Sequence, residues 1–127
     1  MILADSDVLI DYLRDVQPIA GHVMRHREAN NLQTTSINCF ELLSGAWEGK
    51  HGDRVRTLVA TIPVISLDKP AAIRAVFVRQ AMEQKGFAIA MADSLIAGIA
   101  LENDLPLLTR NRRHFEKIDG LRIVDFS

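Results

Sequence analysis

Cysteine occurs once in the 127 residues, at Cys39. A single thiol excludes an internal disulfide and a thiolate zinc cluster, and it suits a reducing compartment. An excess of one charge is also missing. Fifteen Lys and Arg stand against sixteen Asp and Glu, for a net charge of −1. That balance excludes a polybasic nucleic-acid coat and an acidic disordered tail, and leaves room for a local basic rim. Five Phe, one Trp and one Tyr are too few for a binder driven by base stacking. The most apolar stretch, residues 87–101, is interrupted by Asp93 and Ser94 and is too short to span a bilayer. The N-terminus reaches Asp5 and Asp7 before any long apolar run, and no basic residue precedes them, so a signal peptide is not expected. The expectation is a cytoplasmic protein with no membrane partner.

What is present is apolar enough for a core: 48% of residues are hydrophobic, and the length fits one domain over residues 1–127. Five short apolar runs have the character of strands: residues 1–4, 32–36, 63–66, 107–109 and 122–124. Segments of helical periodicity separate them. Val8, Leu9, Tyr12 and Leu13 share a face, Pro18 suits a first helical turn, and Asn38 is a candidate N-cap for a helix through Trp47. Gly45, Gly49 and Gly52 mark a loop before a helix over 53–61. A long helix capped by Ser66 or Asp68 ends near Gly86. It is followed by an apolar helix over 90–103 and a short one around 114–117. Strands that alternate with helices need crossover connections. The fold class is therefore α/β, with helices on both faces of a mostly parallel sheet of four to five strands.

Three carboxylates lie where solvated surface does not account for them. Asp5 follows the first strand at the carboxyl edge, where open α/β sheets bind ligands, although a plain N-cap role explains it equally well. Glu41 sits between apolar residues in NCFELLSG. Asp93 interrupts FAIAMADSLIAGIAL, a helix apolar nearly all round and so expected to be buried. No Lys or Arg occurs between Lys85 and Arg110, so Asp93 requires a cation, a donor network or a raised pKa from elsewhere. Three acids on one edge make an all-oxygen site, which suits Mg²⁺ or Mn²⁺. Such ions bind phosphates and activate water, which points to phosphate-ester chemistry.

The segment MILADSDVLIDYLR resembles the opening of a PIN domain, a metal-dependent ribonuclease fold. TTSINCFELLSGAWEG resembles its second motif, and MADSLIAGIALENDLPLLTRNRRHFEKIDGLRIVDF its third and fourth. The likeness covers nearly the whole chain, and it is to the VapC-type toxins of toxin–antitoxin pairs. It implies a three-layer α/β/α fold and a Mg²⁺-dependent endoribonuclease, with Mn²⁺ able to substitute. Asp5, Glu41 and Asp93 would organise the metal, and Thr109 would lie beside them. Asn111 and His114 occupy the stretch where many relatives carry a fourth acid, and Asn111 retains an acceptor for a metal-bound water. Arg14, Arg110, Arg112 and Arg113 are the candidate phosphate contacts. The implied partners are an RNA substrate of the tRNA or rRNA kind, a cognate antitoxin, and a second copy docked through apolar helix faces around Leu42 and Leu58. The uncharged fourth position keeps an alternative open, a catalytically impaired PIN domain that binds RNA or protein without cutting.

Other signals are weaker. His22 and His26 have the spacing of a zinc pair, but no glutamate stands between them and no third ligand is evident. Cys39 suits a small core residue, and Phe40, Leu42, Leu43 and Trp47 suit core or dimer contacts. The opening DSDVLI also resembles haloacid-dehalogenase-type phosphatases, but their later lysine and paired-acid loop have no counterpart here. A receiver domain would need an aspartate where PVIS ends in serine.

Overall fold

The computed structural model describes residues 1–45 and 48–126. Strand β1 (Ile2–Ala4) leads into α1 (Ser6–Leu13) and α2 (Ile19–Glu28). Strand β2 (Leu32–Thr35) leads into α3 (Ser36–Ser44) and α4 (Gly49–Thr61). Strand β3 (Val64–Ile65) precedes α5 (Lys69–Gln84) and α6 (Met91–Glu102), and β4 (Leu107–Leu108) precedes α7 (Arg112–Phe115). The sheet order is β3-β2-β1-β4, and every pairing is parallel. The fifth expected strand is reduced to one parallel bridge between Leu107 and Ile123. There the Leu107 N–H donates to the Arg122 carbonyl, and the Val124 N–H donates to the Leu107 carbonyl.

The period of two along a strand sends alternate side chains to opposite faces, and here that builds two cores. Ile2, Ala4 and Leu108 pack with Val8, Leu9, Val23, Leu42, Val55 and Leu58 from α1–α4. Leu3 and Leu107 pack on the other face with Val78, Met82, Ile96, Ala97 and Phe115 from α5–α7. The result is the three-layer α/β/α arrangement. Strands of two to four residues contribute little apolar area by themselves, so the helices supply most of the burial. Helices α5 and α6 pack closely enough that a Cβ at Gly98 would stand 2.5 Å from the Ala71 carbonyl oxygen.

The structure corrects three local expectations. Asn38 does not cap α3. Thr35 does, with its Oγ1 accepting from the Asn38 N–H at 3.1 Å, and Asn38 lies fully buried inside the helix. Gly49 and Gly52 are not loop breaks, because α4 starts at Gly49 and buries Gly52, Val55 and Leu58 at every third position along one face. Leu42 and Leu58 are core residues, each at most 1% exposed, so neither is available to a second copy. Phe40 and Leu43 are exposed instead. Trp47 lies outside the described residues.

Candidate metal and catalytic site

From β1 the chain moves outward through β2 to β3, then returns to pair β4 on the other side of β1. The strand order therefore reverses between β1 and β4. A crevice at the carboxyl ends of such strands is where open α/β sheets bind ligands. Asp5 is the first residue after β1, and Thr109 is the first after β4.

Asp5 is 5% exposed and satisfied by three donors. Its Oδ1 accepts from the Ser6 N–H at 2.8 Å and from Asn38 Nδ2 at 3.0 Å, and its Oδ2 accepts from Thr109 Oγ1 at 2.7 Å. Asp5 is thus the N-cap of α1, and the same carboxylate stands at the middle of this hydrogen-bonded cluster. Glu41, one turn beyond Asn38 on α3, stands at the rim. Its Oε1 accepts from Ser6 Oγ at 2.8 Å, with Asn38 Nδ2 at 3.4 Å. Asp93 is half-buried in the first turn of α6, and its Oδ2 lies 3.1 Å from His114 Nδ1.

The electrostatics tie these acids together. Burial raises the Glu41 pKa; the charges of Asp5 and Asp93 raise it further, and the hydrogen bonds from Ser6 and Asn38 pull it down. Burial and then the Asp5 charge raise Asp93, against the opposing effect of His114. Partly buried carboxylates that also feel one another's charge are costly to hold together without a cation. Hard divalent ions keep several waters and use only one or two carboxylates directly. That demand suits an all-oxygen set which forms no ready-made cage. Among the described residues, no three His, Cys, Asp or Glu side chains form one.

Four polar residues of this region escaped the sequence reading. Ser6 and Asn38 link Asp5 to Glu41. Asp7 is half-buried beside Asp5, and its pKa is pushed up to about 6, first by burial and then by the Asp5 charge. Asp7 Oδ2 accepts from the Arg110 N–H at 3.0 Å, while Oδ1 is buried without a hydrogen-bond partner among the described residues. Asp11, 7% exposed, pairs with Arg110 Nε at 2.7 Å. The signals in hindsight are the two-residue step from Asp5 to Asp7, and Asn38 three positions before Glu41 on one helix face.

The remaining sequence candidates are dispersed. Thr109 is fully buried in the cluster, where its Oγ1 also accepts from the Asn111 N–H at 3.0 Å. The Asn111 side chain makes no capping bond at the start of α7, whereas His114 reaches Asp93. Arg113 lines a cavity of about 210 Å³ with Asp93, His114, Phe87 and Ile89. Arg112 pairs with Asp125 at 2.9 Å. Arg14 caps the far end of α1, roughly 12 Å along the helix from its start at 1.5 Å per residue. His22 meets Phe126 edge-on, and His26 meets Asn31, so the zinc-spaced pair is engaged elsewhere. Cys39 is only half-buried. Among the described residues no helix is long and apolar enough to cross a membrane.

Comparison with known proteins agrees with this geometry. The PIN domain family model matches residues 2–121. The tRNA(fMet)-specific endonuclease VapC of Salmonella typhimurium is 34% identical over 109 residues, covering 79% of this chain and 83% of that protein. Ribonuclease VapC10 of Mycobacterium tuberculosis is 31% identical, covering 96% and 91%. Among solved structures, DNA-bound VapBC from Salmonella typhimurium superposes with a TM-score of 0.81 at 27% identity, covering both chains completely. The family model and these relatives match most of the chain, and the chain belongs to the PIN domain family, in its VapC-type branch.

Proposed function

We propose that the protein is a Mg²⁺-dependent endoribonuclease, with Mn²⁺ able to substitute, acting as the toxin of a type II toxin–antitoxin pair. The observation that carries this is the placement of Asp5 at the end of β1, with Glu41 of α3 joined to it through Ser6 and Asn38, and with Asp93 at the start of α6 near enough to feel the Asp5 charge. The VapC relatives named as ribonucleases support the choice of RNA, and the VapBC complexes support an antitoxin as partner. By the same likeness the substrate is a tRNA or an rRNA, and the working form is a homodimer.

A divalent cation held by these carboxylates supplies positive charge that acidifies water and offsets charge developing on the phosphate. The chain's own groups prepare the site for it. Three donors fix the Asp5 carboxylate before any ligand arrives. Both hydrogen bonds to Glu41 fall on Oε1, which leaves Oε2 to take a proton from attacking water. His114 orients Asp93 through Nδ1, and Arg113 beside it is placed to meet a phosphate.

The test uses antitoxin-free protein, total cellular RNA and Mg²⁺ or Mn²⁺, with EDTA and Asp93→Asn controls. Discrete cuts that vanish in both controls are expected. No cutting by folded protein with either metal would overturn the reading in favour of a binding module.

A further inference from the structure

Arg110 follows Thr109 in the turn between β4 and α7, and a phosphate contact is the obvious use for it. Its interactions point elsewhere. The Arg110 guanidinium Nε lies 2.7 Å from Asp11 Oδ2, and its backbone N–H donates to Asp7 Oδ2 at 3.0 Å. Both acceptors belong to α1, four residues apart and so on the same face of the helix. Asp11 is 7% exposed. The Arg110 side chain is 48% exposed, so the pair is shielded on the side of the acid, and removing the arginine would leave that carboxylate without its cation.

We propose that Arg110 is a positioning residue: with Asp11 and Asp7 it clamps the turn over residues 109–111 onto α1, which sets the Thr109 hydroxyl on Asp5. The bond order is direct. Asp11 holds the guanidinium, Asp7 holds the adjoining amide, and one residue earlier Thr109 Oγ1 donates to Asp5 Oδ2 at 2.7 Å. The next amide, of Asn111, donates back to Thr109 Oγ1, and the hydroxyl proton has its shorter bond to Asp5, at 2.7 Å against 3.4 Å to Asp7 Oδ2. The cap and first turns of α1 thus supply three acids: Asp5 for the site, and Asp7 and Asp11 for the turn, with Asp7 Oδ2 also 3.4 Å from Thr109 Oγ1. Arg113, beside Asp93, is left as the better placed phosphate contact.

The catalytic half of this inference rests on the ribonuclease reading; the structural half does not. The test compares wild type with Arg110→Ala, Asp11→Ala and the milder Asp11→Asn. Labelled total cellular RNA with Mn²⁺ is the substrate, and amide hydrogen exchange at Arg110 is followed in parallel. A clamp predicts that Arg110→Ala and Asp11→Ala each lower kcat by about tenfold or more, since small misplacements are expensive. KM and salt dependence stay near wild type, and the double variant is no worse than either single one. Exchange at the Arg110 amide quickens by about tenfold in Asp11→Ala, and less in Asp11→Asn. A phosphate contact predicts the reverse: Arg110→Ala raises KM and lowers the salt slope by about 1, and the Asp11 variants are silent. That result overturns the clamp, as do wild-type kinetics in all variants. If the wild type cuts no RNA, the ribonuclease reading fails separately. Exchange then decides the clamp alone, with unchanged Arg110 protection overturning it.

Discussion

Thr109 and Asp5, 104 positions apart, share a 2.7 Å hydrogen bond in which the threonine hydroxyl donates to Asp5 Oδ2. Both are buried, at 0% and 5% exposure, so no solvent replaces the donor if it is lost. A hydrogen bond to a buried charged group contributes about 1.5–3 kcal/mol. Thr109→Val keeps the shape and removes the donor. It should lower stability by roughly that amount in denaturant unfolding and cut kcat. Thr109→Ser should restore most of both, and a Val variant with wild-type kcat would contradict this role.

Asn38 is the second strut of the cluster. Its Nδ2 reaches Asp5 Oδ1 and Ser6 Oγ at 3.0 and 2.9 Å, and its Oδ1 accepts from Thr35 Oγ1 at 2.7 Å. Asn38→Ala leaves buried groups unpaired, so a loss of about 1–3 kcal/mol is expected. Asn38→Asp keeps the size but adds charge beside Asp5 and Glu41, and it should be the worse variant without metal. Adding Mn²⁺ should narrow the gap between the two, as thermal unfolding would show.

Asp7 gives the free protein a pH dependence of defined sign. Its pKa rises from 3.8 to about 6 in the fold, so the folded state keeps a proton that the unfolded chain has released. Stability therefore falls as pH rises from about 4 to 6. Two units at 1.36 kcal/mol each, discounted for partial solvent exposure, leave about 1–2 kcal/mol. In EDTA, Asp7→Asn should exceed wild type by that margin above pH 6 and match it below pH 4.

The seam between α5 and α6 carries Asp93 indirectly. A Cβ at Gly98 would stand 2.5 Å from the Ala71 carbonyl oxygen and 2.9 Å from the Ala75 nitrogen, both backbone atoms. Gly98→Ala must push the helices apart, at a cost of about 1–3 kcal/mol. A fall in Tm of roughly 5–10 °C is expected, together with lower activity because Asp93 moves with α6.

Much of the fold and part of the site can be read from the sequence. The alternation of short apolar runs with periodic segments suffices for the parallel sheet, since each run is punctuated by a helix start. Asp93 stands out because the helix around it is apolar, and Asp5 because it ends a strand. What stays hidden depends on three-dimensional pairing. Asn38 has the composition of a cap, and only the Thr35 side chain beneath the helix end shows that the cap lies three residues earlier. Asp7 and Asp11 look like ordinary polar positions of an amphipathic helix until the Arg110 turn, about a hundred residues later, arrives beside them. Gly49 and Gly52 suggest a loop, yet α4 starts at Gly49 and buries Gly52 on the face it shares with Val55 and Leu58. Arg112 carries the charge expected of a phosphate contact, but Asp125 engages it.

In the proposed function Asp5, Glu41 and Asp93 hold a divalent cation. Mn²⁺ titration by calorimetry in two buffers of different ionisation enthalpy tests that role most directly, for wild type and Asp5→Asn at pH 6. Saturable binding by the wild type is expected, with proton release that grows as the pH is lowered, because burial and neighbouring acids raise the Glu41 and Asp93 carboxyls and a cation displaces the proton from the protonated form. Binding weakened at least tenfold is expected in Asp5→Asn. Equal binding by the two proteins, or none by the folded wild type, would contradict that role.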